Sequence, residues 1–528
     1  MRQDLSSFVV FNLMASLKQK VVKGTFWILL EQFSTQFVGF VIGMVLARLL
    51  TPTDYGTVSM ISIFTAIALV LTDSGFTNAL VQKKNATDLD FNSVFYCCLV
   101  LSGIAYLVLF FLSPYVAVWL DTPVLKGILR VMALTLFFHA VNGVQNAELS
   151  RKMLFHLSFR INLISVIVGT GTGLTLAFLG YGPWALVWQS IASGVSGVIS
   201  RWFFIAWRPK LQFSFHALGG LFGYSWKLTL SSLLDSGYRN LFSLMVGKFY
   251  SKADLAFLHK GSHTPKFIMS AVNGTLGRVM FPALAQMQDD PDRLREAMRR
   301  MIQCSTFLVF PMLTGMAFLA PSLIPLLYGE KWLPAIPFMQ VACFSLSLWP
   351  FHTINLQGIK AMGRSDLFLG LEIAKKILCF TLLGVFFLFF QKRCGVIVYA
   401  MISAFTLGPL GVLINSWPNR KLMGYSLWDQ LKDVTQPFLL CLPMALAMYF
   451  VGKIPLFEGV RVWRIPVDLM AHILLQMVTG TIVFLVSAFT LKPRPLREYA
   501  RIAGPALLKK APACILPLVR STLKKIES

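Results

Sequence analysis

Charge is the scarcest property of this sequence. Only 13% of its 528 residues are Asp, Glu, Lys or Arg, about half the share found in soluble domains, and acids number 23 against 48 bases. With 56% hydrophobic residues and a mean hydropathy of +0.67, the chain is not a water-soluble enzyme, a disulfide scaffold or a disordered protein. Metal-ligand spacing is lacking as well. Cys97, Cys98, Cys304, Cys343, Cys379, Cys394, Cys441 and Cys514 form no C-x-x-C pattern and lie nearly all in apolar runs, where cysteine serves as a small buried side chain. Neither G-x-x-x-x-G-K-[ST] nor H-E-x-x-H occurs, so these routes to phosphate or zinc chemistry are closed. Asp88-Leu-Asp90 has the spacing of a nucleotide-sugar metal site but sits in a short loop with no catalytic domain around it. No metal and no cofactor are expected.

What the chain has is long apolar runs. They lie near residues 25–47, 57–80, 91–112, 124–149, 157–180, 184–206, 219–246, 262–287, 300–320, 333–361, 367–390, 394–416, 434–452 and 466–491. Each can cross a hydrocarbon layer of about 30 Å, which predicts an all-α polytopic membrane protein with about fourteen transmembrane helices. The connections are too short for a folded extramembrane domain, which begins near 50 residues. The first run lacks a small-residue cleavage site and is expected to remain as a span. Residues 14–24, MASLKQKVVKG, read as a natural start, so Met14 is the expected initiator.

The net charge of +25 has two readings, nucleic-acid binding or basic cytoplasmic loops, and placement decides for the second. Lys18, Lys20 and Lys23; Lys83 and Lys84; Arg151, Lys152 and Arg160; Arg208 and Lys210; Arg293, Arg295, Arg299 and Arg300; Lys360 and Arg364; and Arg420 and Lys421 fall in alternate loops. The tail after residue 491 is basic too. By the positive-inside rule both termini are cytoplasmic. Lys392, Arg393, Lys453, Arg461 and Arg464 run against this pattern, since it places them outside. No nucleic acid is expected as a partner.

Two pairs of segments match across the chain in the same order and at nearly the same offset. LARLLTPTDYG (46–56) aligns with VGKFYSKADLA (246–256), and HAVNGVQNAELSRKMLF (139–155) with HTINLQGIKAMGRSDLF (352–368). The alignment pairs Arg48 with Lys248, Thr51 with Ser251, Asp54 with Asp254, His139 with His352, Asn142 with Asn355 and Arg151 with Arg364. Such a match points to a duplicated unit of about six helices in parallel orientation. The expected organisation is a basic segment at 1–23, helices 1–6 at 24–210, helices 7–12 at 211–425, helices 13–14 at 426–491, and a basic cytoplasmic tail at 492–528. Two six-helix bundles of this kind are the frame of an alternating-access transporter, with a site expected between them.

A charged side chain at the centre of a span costs about 2.5–3.5 kcal/mol on insertion scales, so it needs a partner or a wet cavity. Glu31, Gln32 and Gln36 fall in the first predicted helix, Asp73 and Asn78 in the second, Lys227, Asp235 and Arg239 in the seventh, and Arg278 in the eighth. Asp235 and Arg239 can pair at i,i+4, whereas Lys227 and Arg278 can reach cytoplasmic headgroups. Glu31, Gln36, Asp235, His139 and His352 are candidates for a cation or proton site or for the cavity wall, balanced against ordinary packing roles. Asp73-Ser-Gly-Phe marks an expected helix distortion, and Asp289-Asp290-Pro291-Asp292 a helix cap near Pro291.

Six strings in order resemble the polysaccharide transporter family, the Wzx-type flippases of the multidrug, oligosaccharidyl-lipid and polysaccharide exporter superfamily. They are Arg48-Leu-Leu-Thr-Pro-Thr-Asp-Tyr-Gly56, Asp73-Ser-Gly75, Gly182-Pro-Trp-Ala-Leu186, Arg208-Pro209, Arg278-Val-Met-Phe-Pro282 and Leu327-Tyr-Gly-Glu-Lys-Trp332. The likeness is nearest to the colanic acid and teichuronic acid exporter branch; it departs at Ala253-Asp-Leu-Ala-Phe257, where the family usually has Ala-Leu-Gly-x-Tyr. The resemblance implies a bacterial inner-membrane flippase for undecaprenyl-diphosphate-linked oligosaccharides, working in capsule, exopolysaccharide or lipopolysaccharide synthesis. Coupling to H+ or Na+ is the expected energy source, and membrane lipids, a polysaccharide polymerase and glycosyltransferases the expected partners. For the diphosphate the best candidates are Arg239, whose guanidinium can bind bidentately, then Lys227 and Arg278. A multidrug or metabolite exporter of the same superfamily is the nearest alternative. A membrane polymerase or ligase is the alternative from another class.

Overall fold

The computed structural model describes residues 34–73, 75–83, 86–152, 154–285, 287–390, 395–454, 461–462 and 465–497. Met14, Glu31, Gln32 and most of the basic tail lie outside them, as do the side chains of Asn78, Lys227, Asp235, Arg239 and Arg278.

In chain order the helices are α1 Ser34–Leu49, α2 Pro52–Met60, α3 Ser62–Asp73, α4 Phe76–Gln82, α5 Asp88–Trp119, α6 Val124–Met132, α7 Thr135–Arg151, α8 Phe155–Phe178, α9 Trp184–Phe204, α10 Phe215–Phe249 and α11 Lys252–Ala285. They continue as α12 Pro291–Tyr328, a 3-10 turn at Glu330–Ala335, α13 Ile336–Ser347, α14 Trp349–Ala361, α15 Ser365–Phe390, α16 Val396–Phe405, α17 Gly411–Met423, α18 Leu427–Val451 and α19 Val467–Leu491. A π turn at Thr406–Leu410 joins α16 to α17. The one departure from all-α among the described residues is a two-stranded antiparallel ladder pairing Arg461 with Pro466 and Val462 with Ile465.

Among the described residues, nine stretches are long and apolar enough to cross a membrane, against about fourteen expected from the apolar runs. The difference lies in α1, α9, α10, α11 and α15. Arg201 interrupts α9, and Lys227, Asp235 and Arg239 interrupt α10. Large apolar side chains such as Val100, Ile104, Val108 and Phe111 stand exposed on α5, which in water would be costly and in lipid is not. This is a multi-pass membrane protein.

Helices begin where the sequence supplies caps. Thr51 caps α2 in a capping box, its Oγ1 donating to Asp54 Oδ2 at 2.6 Å while Asp54 N donates back at 3.3 Å. Ser251 and Asp254 repeat the geometry at the start of α11, at 2.7 and 3.0 Å. Asp290 caps α12 with Pro291 in the first turn. Asp90, in the Asp88-Leu-Asp90 string, closes a capping box with Thr87 and pairs with Lys83 at 2.8 Å; it is a structural carboxylate.

The chain forms two compact units, Met1–Ala256 and Phe257–Ser528. That boundary falls inside α11, and α10 packs on α2, α3, α4 and α5. In the first unit Phe76, Leu80, Phe91, Val94, Phe95, Val144 and Leu221 make a core. Trp207 covers it, its ring 5.9 Å from Phe91 and 6.1 Å from Phe95. In the second unit Leu294, Met298, Ile302, Phe351, Ile354, Val412, Tyr425 and Val434 form the corresponding centre.

Candidate functional site

A cavity of about 1000 Å³ lies inside the first unit, walled by α3 to α10. Three local features create it. The helical run through α3 stops at Asp73 and resumes at Phe76, with Gly75 at φ 65°, a conformation glycine adopts without penalty. At this break Thr77 Oγ1 donates to Asp73 Oδ1 at 2.6 Å, and both residues face the cavity. The expected distortion at Asp73-Ser-Gly-Phe is therefore a full interruption.

Next, α8 and α9 approach closely through glycine. A Cβ on Gly169 would lie 2.8 Å from the Gln189 carbonyl oxygen, and one on Gly173 2.9 Å from Gln189 Cβ. Small residues permit this backbone approach in membrane helices, and it sets Gln189 and Ser193 into the wall. Finally, Phe138 of α7 seats on Gly194 of α9, where an added Cβ would meet its ring at 2.5 Å. The face beside it carries His139, Asn142 and Asn146 to the cavity, since residues at i, i+3 and i+7 share one side of a helix.

Arg201 is the cation of this wall. It is 7% exposed, and its guanidinium donates to Asn142 Oδ1 at 3.2 Å, Asn162 Oδ1 at 3.3 Å and the Gly197 carbonyl at 3.3 Å. These oxygens orient it and offset part of its desolvation. Sequence reasoning did not single out Arg201. The available signal was its position inside the apolar run. Arg208 lies 5.1 Å from the Trp202 ring and donates to the Trp207 carbonyl at 3.0 Å.

Of the residues singled out from sequence, His139 and Asp73 are brought together in the cavity wall. Gln36 is half-buried in α1 and is not among the described lining residues. His352 lies in the second unit, its Nδ1 3.0 Å from Asn415 Nδ2 and its ring 6.3 Å from Trp349. Next to it Asn355 donates to Gln430 Oε1 at 2.8 Å and accepts from Asn419 at 2.6 Å. Asn355, Asn419 and Gln430 are all fully buried. The paired His-x-x-Asn segments thus have different fates, one lining a cavity and the other closed in packing. Glu31 lies outside the described residues, and the side chains of Lys227, Asp235, Arg239 and Arg278 do too.

The second unit adds a polar row that the sequence analysis did not single out. His259, His263 and Lys266 are exposed along one face of α11, at i, i+4 and i+7. The opposite side is buried, with Lys260 Nζ 5.3 Å from the Tyr328 ring and 6.0 Å from Trp332, a cation–π seat. Tyr328 in turn hydrogen-bonds Thr264 at 2.9 Å, and Gly329 at φ 95° ends α12 between the two rings. That arrangement accounts for most of the Leu327-Tyr-Gly-Glu-Lys-Trp332 string.

Comparison with known proteins gives the chain its relatives. An uncharacterized membrane protein in the cps region of Klebsiella pneumoniae is 24% identical over 94% of this chain and 100% of its own length. The lipopolysaccharide biosynthesis protein WzxC of Escherichia coli K12 is 25% identical over 62% of this chain and 67% of its own. The teichuronic acid biosynthesis protein TuaB of Bacillus subtilis 168 is 22% identical over 83% and 90%. Among solved structures, the lipid II flippase MurJ in an inward closed conformation superposes with a TM-score of 0.66 at 13% identity, covering 88% of this chain and 98% of its own. An inward-facing multidrug resistance transporter of the MATE family gives 0.57 at 16%, covering 75% and 99%. At these identities the superpositions establish a shared fold. The model of the family described as polysaccharide biosynthesis protein matches residues 45–337, more than half of the sequence, and the chain belongs to that family.

Proposed function

We propose that this protein is a flippase that moves undecaprenyl-diphosphate-linked oligosaccharides from the cytoplasmic to the periplasmic leaflet of the bacterial inner membrane. The observation that carries the reading is a large polar cavity within a unit built of membrane spans, in a chain of the polysaccharide biosynthesis family. Relatives named for lipopolysaccharide biosynthesis and for succinoglycan transport agree with it. A polar cavity at membrane depth is what a hydrophilic head requires to cross hydrocarbon, where unpaired polar groups cost several kcal/mol each. The organic-cation exporter is less favoured, because the charged groups among the described lining residues are one carboxylate, Asp73, and one cation, Arg201.

In this reading the chain has fourteen spans, as two six-helix bundles followed by two C-terminal helices, with both termini cytoplasmic. Transport proceeds by alternating access, driven by H+ or Na+. The diphosphate is held by cations, with Arg239 first, then Lys227 and Arg278. The deciding experiment is to delete the gene and analyse the lipid-linked saccharides by mass spectrometry. Accumulation of a complete undecaprenyl-diphosphate-linked repeat unit, relieved by the wild-type gene and not by Arg239→Ala, is the expected result. Unchanged lipid-linked saccharides in the deletion strain refute the flippase reading, and full export by Arg239→Ala refutes the site.

A further inference from the structure

The cavity of the first unit is chemically unlike a diphosphate site. Its described lining carries Asp73 and Arg201, whose charges cancel, so a dianion entering it meets a carboxylate as well as a guanidinium. Arg201 is moreover already engaged by Asn142 and Asn162. The remaining polar lining is amide and hydroxyl, with Phe138 and His139 as the rings. Asn146 and Gln189 make no side-chain hydrogen bond to described residues and present a donor and an acceptor each. A wall of mixed donors and acceptors, one carboxylate and few rings complements a ligand that both donates and accepts at many points, as a sugar does. The volume, about 1000 Å³, stands at the upper end of small-ligand sites.

We propose that this cavity receives the sugar head of the lipid-linked substrate, with Asn146, Gln189, His139 and Asp73 reading its hydroxyls, and that the diphosphate is bound elsewhere. Arg201, engaged by Asn142 and Asn162, holds those two amides in place in the wall. The inference rests on the flippase reading and deepens it: the first unit selects the glycan, so the identity of its wall residues sets which repeat unit is carried. A site tuned to hydroxyls discriminates strongly because a mismatched ligand leaves buried polar groups unpaired.

The test uses purified full-length protein in lipid nanodiscs and two probes. One is undecaprenyl diphosphate without sugar; the other is the undecaprenyl-diphosphate-linked saccharide fraction extracted from the deletion strain. Binding is read by native mass spectrometry. Gln189→Leu and Asn146→Leu should each weaken binding of the sugar-bearing lipid about tenfold, the consequence of one lost hydrogen bond and one stranded partner. Affinity for the bare carrier should not change. Asn146→Asp, which keeps an acceptor in place, should lose less than Asn146→Leu. Equal weakening of both probes, or no weakening of either, overturns the assignment. If the deletion strain accumulates the lipid-linked repeat unit while the variants bind it normally, the cavity assignment alone fails. If nothing accumulates and the wild type does not distinguish the probes, the flippase reading fails with it.

Discussion

Gly56 offers the sharpest test of the packing. It closes the Thr-Pro-Thr-Asp-Tyr-Gly string in the first turns of α2, and a Cβ built on it would lie 1.9 Å from the Lys252 carbonyl oxygen and 2.5 Å from the carbonyl carbon. Ordinary C···O contacts begin near 3.3 Å, so α2 and the start of α11 would have to part by about an ångström or more. The obstructing atoms are backbone, and no rotamer change relieves them. Overpacking of this kind costs about 1–3 kcal/mol, and the upper end applies where nothing yields. Alanine regains about 1 kcal/mol of helix propensity over glycine, leaving a net loss of about 2 kcal/mol for Gly56→Ala. Gly103, within α5, has nothing within 4 Å of its added Cβ, so Gly103→Ala should be neutral or stabilising. The two variants make the same chemical change with opposite expected signs. Thermal unfolding in detergent, followed by emission of the 12 tryptophans, separates them. A Gly56→Ala protein as stable as wild type, or a Gly103→Ala protein equally damaged, refutes the reasoning. Ala256, the residue aligned with Gly56, is fully buried and accommodates its methyl group.

Three other outcomes are expected. Asn355→Ala removes bonds to Gln430 and Asn419 and strands buried amides at about 1–3 kcal/mol each, so it should unfold at a clearly lower temperature than wild type in the same assay. Asp433 accepts from Arg299 Nε at 2.7 Å, Gln303 at 2.9 Å and Tyr425 at 2.9 Å. Asp433→Ala should cost about 2 kcal/mol, below the usual loss for breaking a buried pair because the Arg299 side chain is 35% exposed; Asp433→Asn should cost less, and the same melting curves rank the two. Reporter fusions after Arg420 and after Lys510 should both give cytoplasmic signals, and a periplasmic signal at either breaks the orientation scheme.

Local chemistry was legible in the sequence. Asp290 before Pro291 and Gly75 after Asp73 each announce a backbone event that short-range stereochemistry enforces, and each occurs. Apolar runs located the helices but misjudged where helical geometry ends. The α11 helix starts at Lys252, well before the run at 262–287, and α10 at Phe215, a turn before the run at 219–246, because a helix continues into polar sequence when its caps lie farther out, at Ser251 and Ser214. The cavity was not legible. Asn146, Asn162, Gln189 and Ser193 come from three helices, and each alone reads as a packing residue with its amide or hydroxyl satisfied. Only the close approach of α8 to α9 through Gly169 and Gly173 converts them into one wall. Arg201 was hidden for a related reason: the oxygens that hold it, on Asn142 and Asn162, are remote in sequence.

The two His-x-x-Asn segments show how similar strings acquire different work. His139 and Asn142 face open space, and Asn142 spends its oxygen on bracing Arg201. His352 and Asn355 face protein instead, and the amide that engages Asn355 from both sides is Gln430 of α18. That helix lies beyond the six-helix span of the aligned segments, so the closure of the second polar pocket depends on an element that the first copy, as read from the sequence, has no counterpart for. α18 also supplies Asp433, which ties it to α12 through Arg299 and Gln303. A buried amide triad with its main donors matched to acceptors is rigid, because breaking any bond strands a partner in low dielectric. A cavity lined by amides with unspent donors and acceptors is the reverse, a surface whose hydrogen bonds remain to be made by whatever enters. Rigidity in the second unit follows from where α18 packs, whereas the unspent polarity of the first unit is what the proposed recognition of the hydrophilic head rests on.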